Sequence, residues 1–136
     1  DMGPLARYFR FIEKTAPRLA RNIFYYMMRY RKELEHKQML LGRLIEIGTD
    51  LFVMATTCSY AISESKAQQG SQSPIHMAEY FCQIAMRRIQ ERFAQLTDND
   101  DFETNQIAGR VMDKEYVWME EGIIPVATDE EAESKF

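Results

Sequence analysis

The reading of the fold turns on one stretch, Leu34–Ile62: LEHKQMLLGRLIEIGTDLFVMATTCSYAI. It holds no proline and is far too long for a strand. Apolar residues recur at helical spacing at Leu41, Leu44, Ile45, Gly48, Leu51, Phe52, Ala55, Cys58 and Ile62. A second stripe overlaps it at Leu40, Leu44, Ile47, Leu51, Met54, Cys58 and Ala61. What stays polar is a thin seam of Arg43, Glu46, Asp50 and Thr57. A helix apolar nearly all round must be covered by neighbours, so this stretch is expected to be a central rod enclosed in a bundle. Arg43, Glu46 and Asp50 would be costly in lipid, which argues against a membrane span. Gly42 and Gly48 each forfeit about 1 kcal/mol of helix propensity against alanine. Close approach of another helix is the expected compensation.

Outward from this rod, the chain reads as further helices. Leu5–Lys14 predicts a short helix, interrupted at Thr15-Ala16-Pro17 because the residue before proline is pushed out of the α region. The next helix is expected from Pro17 to about Arg31, with Leu19, Ala20, Ile23, Phe24, Met27, Met28 and Arg31 on its apolar period. Its other face carries Arg18, Arg21, Tyr25, Arg29 and Lys32, a cationic side suited to a partner or an anionic membrane surface. The central helix is expected to end near Gly70, in the loop Gln68–Pro74. Ser73-Pro74 supplies a cap and first-turn proline for the following helix, to about Leu96. There Ala78, Phe81, Cys82, Ala85, Ile89, Phe93 and Leu96 form the core stripe, with Arg87, Arg88, Glu91 and Gln95 facing out. Asp100 and Glu103 resemble a capping box. A last helix from Asp101 to about Glu121 should bury Ile107, Ala108, Val111, Tyr116 or Val117, and Trp118. An extended apolar piece, Ile123–Ala127, would lie along the bundle. The fold class is therefore all-α: an antiparallel four-helix bundle with a short extra N-terminal helix, residues 1–127, and an acidic, disordered tail, residues 128–136.

Composition fits one soluble domain. The chain has 136 residues, 46% of them hydrophobic and 28% charged, enough to bury a real core. The net charge of −4 is unevenly placed. Residues 1–43 hold ten Lys/Arg against four Asp/Glu, while the remainder holds seven against seventeen. The acidic balance and lack of a base-reading motif exclude nucleic acid as a partner. Two cysteines on apolar helical faces read as buried free thiols in a reducing compartment. With no signal peptide in view, the expected location is the cytoplasm or mitochondrial matrix side, with membrane association left open. The opening Asp1-Met2-Gly3-Pro4 is expected to belong to a longer polypeptide.

Catalytic chemistry finds little support. Carboxylate-bridged metal sites need Glu-x-x-His on two helices. Glu33–His36 offers one such spacing, and His76 with Glu79 stands in reversed order. Neither histidine has a convincing nucleophile partner, and no glycine-rich phosphate loop is present. Arg43, Glu46 and Asp50 read as a structural ion-pair seam rather than a ligand site. No catalytic, cofactor-binding or metal-ligating residue is expected.

The segment Glu35–Ala61 resembles part of the extra C-terminal helical domain of acyl-CoA dehydrogenases of the very-long-chain type. The residues that carry the likeness are Gln38, Leu40, Leu41, Arg43, Leu44, Gly48, Asp50, Leu51, Phe52, Met54, Ala55, Ser59 and Ala61. It extends more weakly through Leu96, where Cys82–Ile89 resembles a further helix of that family, and fades beyond. The resemblance implies a parent flavoprotein that uses FAD to remove hydrogens from C2 and C3 of a fatty acyl-CoA in β-oxidation. The motifs of that chemistry belong to preceding domains. For this chain it implies a non-catalytic bundle that packs on the dehydrogenase body, supports a homodimer, and in some relatives lies near a membrane. A free-standing interaction or membrane-surface adaptor is the competing expectation.

Overall fold

The structure, a computed structural model, describes residues 3–123. Among them every regular element is helical. Four α-helices follow a short 3₁₀ turn at Gly3–Leu5: α1 Ala6–Tyr30, α2 Gln38–Ala67, α3 Ser73–Ala94 and α4 Asp101–Met112. Two further 3₁₀ segments occur at Arg31–His36 and Val117–Glu120. The all-α class expected from the pattern holds. The chain divides into two units, Asp1–Asn99 and Asp100–Phe136.

In the first unit α2 and α3 form an antiparallel hairpin. Partners on α3 fall as numbers on α2 rise: Glu46 meets Arg92, Asp50 meets Arg88, and Cys58 meets Cys82. The turn between them closes on Gly70, whose N–H donates to the Ser65 carbonyl at 2.8 Å with φ of 89°. Only a residue tolerant of positive φ satisfies the last carbonyls this way. Helix α1 runs parallel to α3. Tyr8 near its start donates its hydroxyl to the Glu79 carbonyl at 3.0 Å, and Tyr26 near its end donates to the Leu96 carbonyl at 3.4 Å. The result is an up-down-up arrangement around a core of Leu5, Tyr8, Ile47, Met54, Cys58, Cys82, Ala85 and Ile89, each essentially inaccessible.

The buried face of α2 is the second of the two stripes read above, from Leu40 through Ala61. The α3 core stripe is likewise as expected, except that Phe81 is half-buried and Ile75 joins it. Helix α1 departs from expectation twice. It continues through Pro17 without interruption. Glu13, whose carbonyl loses its usual partner there, is exposed to water, as is Pro17. It also turns a different face inward. Tyr8, Thr15, Leu19 and Tyr26 are buried, whereas Ile23, Phe24, Met27 and Met28 are exposed.

Nor is α2 enclosed on all sides. Ile45, Phe52 and Tyr60, which share its far face, are 67%, 69% and 69% exposed. Helices α1 and α3 cover only the opposite half of its circumference. Gly48 does meet a neighbour, since a Cβ there would stand 3.5 Å from Leu19 Cδ2, but Gly42 has nothing within 4 Å. The 3.5 Å separation is ordinary van der Waals contact, so close approach of another helix requires glycine at neither position.

In the second unit α4 ends at Met112, nine residues earlier than expected, and Lys114 adopts a positive φ of 62° beyond it. Asp100 stands at the N-cap without a side-chain capping bond. Neither α4 nor the 3₁₀ segment after it has a buried residue. Ile107, Ala108, Val111, Val117 and Trp118 are all exposed, so the burial expected for them is overturned. A helix with Gly109 in its last turns and no packed face has little to extend it. The extended piece beyond Ile123 and the acidic tail lie outside the described residues.

Candidate functional site

The charged seam is built where α2 faces α3. Asp50 is buried, and Arg88 reaches it in two hydrogen bonds, Nε to Oδ2 at 2.7 Å and Nη2 to Oδ1 at 2.5 Å. Such fork-to-fork pairing is the strong geometry for a guanidinium and a carboxylate. The bond to Asp50 holds the Arg88 guanidinium above its ordinary pKa. One turn away Arg92 donates to Glu46 and also to Gln95 Oε1. Arg43 is half-buried one turn earlier on α2. The two arginines that complete the pairs carry no signal in the sequence beyond their charge. Antiparallel register alone brings Arg88 to Asp50, in place of the solvent-facing position expected for it.

The cationic face of α1 is exposed at Arg18, Arg21, Tyr25 and Arg29, and Lys32 is exposed in the 3₁₀ link after it. Two of its cations are engaged. The Arg18 guanidinium lies 4.0 Å from the centre of the Phe93 ring, and Arg29 donates to the Tyr25 hydroxyl at 2.6 Å. Tyr25 meets Tyr26 edge-to-face with ring centroids 5.1 Å apart, and Tyr26 stacks nearly parallel on Tyr30 with centroids 6.1 Å apart. Beside this face stands the apolar ridge of Phe24, Met27 and Met28, 54–66% exposed. These three large apolar side chains stand together on one exposed face of α1. Periodicity marks the same residues as apolar but assigns them to the core.

Among the described residues the histidines stand apart from any nucleophile and the two thiols are buried. No cluster of three His, Cys, Asp or Glu side chains suited to a metal occurs among the described residues. His36 is exposed beside Glu35, at 3.4 Å, and His76 is exposed in the first turn of α3. Burial pushes the Cys58 thiol up and the Cys82 thiol up to about 12, so both are protonated at neutral pH and slow as nucleophiles. A cleft of about 240 Å³ opens between α1 and α3, lined by Arg7, Tyr8, Gln83, Met86, Arg87 and Gln90. Its volume falls below the range of most small-molecule sites.

The ACAD9/ACADV C-terminal domain family model matches residues 4–117. The chain belongs to this family. It is 38% identical over 126 residues to the probable acyl-CoA dehydrogenase FadE10 of Mycobacterium tuberculosis and of Mycobacterium bovis. That alignment takes in 91% of this chain but 19% of each relative's length. No solved structure matches. The family assignment agrees with the resemblance read from Gln38–Ala61, and it extends that resemblance across α4. No helix among the described residues is long and apolar enough to cross a membrane.

Proposed function

We propose that this chain is the non-catalytic C-terminal helical domain of an acyl-CoA dehydrogenase, docked on the dehydrogenase body and supporting its dimer. One observation carries the reading. A chain equivalent to 19% of its relatives' length leaves two apolar faces open, Phe24–Met28 on α1 and Ile45–Phe52–Tyr60 on α2. Each open face has the apolar character of a surface closed by more protein. The parent's chemistry, FAD-dependent α,β-dehydrogenation of fatty acyl-CoA, belongs in this reading to the rest of the polypeptide. The described residues do not fit a flavin. Gly42, Gly48 and Gly109 lie inside helices, the cleft beside Tyr8 is too small, and no two glycines among the described residues share a loop.

The test mixes the isolated chain with the separately produced remainder of the enzyme in analytical ultracentrifugation. Association that Phe24→Asp or Phe52→Asp weakens at least tenfold is expected. Stoichiometric flavin retained by the isolated chain, or acyl-CoA turnover by it, would overturn the reading.

A second reading follows from the apolar ridge beside the exposed cations of α1, an arrangement that suits an anionic membrane surface. Flotation with anionic liposomes decides it. Salt-sensitive binding lost on reversing Arg18, Arg21 and Arg29 to glutamate supports it, and failure to float removes it.

A further inference from the structure

Two thiols meet in the centre of the α2–α3 hairpin. Cys58 Sγ and Cys82 Sγ are 3.4 Å apart, both side chains are fully buried, and Cys82 Sγ lies 4.0 Å from the Met54 carbonyl oxygen. Both are free, and neither belongs to the charged seam or to any metal cluster among the described residues. We propose that Cys58 and Cys82 form a disulfide site closed by hydrogen peroxide, a reversible staple between α2 and α3.

The geometry is nearly complete. Sulfurs already in van der Waals contact need to approach by little more than 1 Å to reach the bonded separation of about 2 Å. They stand on facing helices of the antiparallel hairpin, 24 residues apart in sequence. The surrounding core excludes large reagents, whereas peroxide is small and uncharged. Burial keeps both thiols largely protonated, so oxidation runs through a small thiolate fraction, is slow and needs sustained excess peroxide, while exchange with soluble disulfides is slower still. In the first step one thiol is oxidised to a sulfenic acid, peroxide's O–O bond breaks, and one water leaves. In the second the neighbouring thiol attacks that sulfur, the S–O bond breaks, the S–S bond forms, and a second water carries off the proton and hydroxyl. Two electrons pass from the sulfur pair to one peroxide. Because the second thiol is in contact with the first, condensation precedes the second peroxide attack that would give a sulfinic acid. The closed bond ties residues on either side of the Gln68–Gln72 turn and restricts the unfolded chain.

The experiment exposes the chain to excess hydrogen peroxide, removes it with catalase, unfolds the protein, alkylates it and maps its peptides. Peptide mapping is needed because exposed Met27, Met28 and Met112 take up oxygen as well. The expected product is a linked peptide pair joining Cys58 to Cys82, with no alkylation at either. Dithiothreitol should then lower Tm by several degrees, a change that methionine sulfoxides do not share because dithiothreitol leaves them in place under those conditions. In Cys58→Ser the linked pair is absent. Recovery of both cysteines as alkylated thiols, their conversion to sulfinic or sulfonic acids, a link between two chains, or a Tm that dithiothreitol leaves unchanged or raises, overturns the proposal.

Discussion

Arg88 on α3 grips Asp50 on α2 through both of its facing nitrogens, and this contact sits at the edge of an otherwise apolar hairpin. The carboxylate side chain is 11% exposed and the guanidinium side chain 42%. Removing one partner of a buried pair strands the other, which costs about 3–5 kcal/mol when both are dry. Because Arg88 is partly in water, Arg88→Ala is expected to cost about 2–3 kcal/mol. The neighbouring pair is wetter, with Glu46 53% exposed, so Arg92→Ala should cost under about 1 kcal/mol. Asp50→Leu combined with Arg88→Met removes both charges and should recover most of the loss. Urea midpoints of the four proteins check the order.

Pro17 lies inside α1 and leaves one backbone acceptor without its i+4 donor. An interior proline costs a helix about 3 kcal/mol, offset by about 1 kcal/mol because it also restricts the unfolded chain. Pro17 is exposed, so replacing it disturbs no packed neighbour. Pro17→Ala is expected to stabilise the chain by about 1–2 kcal/mol and to raise Tm in a thermal scan. A lower Tm would show that the proline is held by a contact rather than tolerated.

These two sites also show what the sequence discloses. The buried stripe of α2 is legible because Leu40, Leu44, Ile47, Leu51, Met54, Cys58 and Ala61 repeat at helical spacing and face both neighbours at once. The α3 stripe is legible for the same reason. The orientation of α1 is not. Its inward face is carried by Tyr8, Thr15 and Tyr26, whose hydroxyl-bearing side chains score as half-polar. Two of those hydroxyls find backbone carbonyls on or beyond α3, a pairing set by tertiary register that no local pattern records. Hydropathy alone therefore assigns the greasier stripe at Phe24, Met27 and Met28 to the wrong side. The candidate docking face is hidden by the same error, since its residues are visible in the sequence but their exposure is not.

Gly42 and Gly48 test whether glycine is required on α2. Alanine gains about 1 kcal/mol of helix propensity over glycine. At Gly42 nothing would meet the new methyl, and at Gly48 it would rest at ordinary contact distance from Leu19. Each substitution is expected to stabilise the isolated chain by about 0.5–1 kcal/mol, with Gly48→Ala at least equal to Gly42→Ala because it adds a contact. Denaturant midpoints at fixed m-value measure both. A loss at Gly48 would mean that α1 and α2 pack too tightly there for a methyl group.

Alkaline pH should destabilise the domain through its buried acids. Desolvation raises the phenols of Tyr8 and Tyr26 above 10.0 and the thiols of Cys58 and Cys82 above 9.0, the last to about 12. All four are acids whose neutral form the fold holds. From about pH 9 upward the unfolded chain gives up these protons before the folded chain does, and for Cys82 that window reaches about 12. The folded state then binds more protons, so the stability they contribute is intact below pH 9 and falls as pH rises through that window. Unfolding free energies measured from about pH 8 to 12 should be flat at first and then decline. Tyr8→Phe loses the hydrogen bond to the Glu79 carbonyl, costing about 1 kcal/mol at neutral pH. It also removes one of the titrating groups, so its decline above about pH 10 should be shallower than that of the parent chain. Equal slopes would mean that the Tyr8 hydroxyl ionises as freely in the fold as in water.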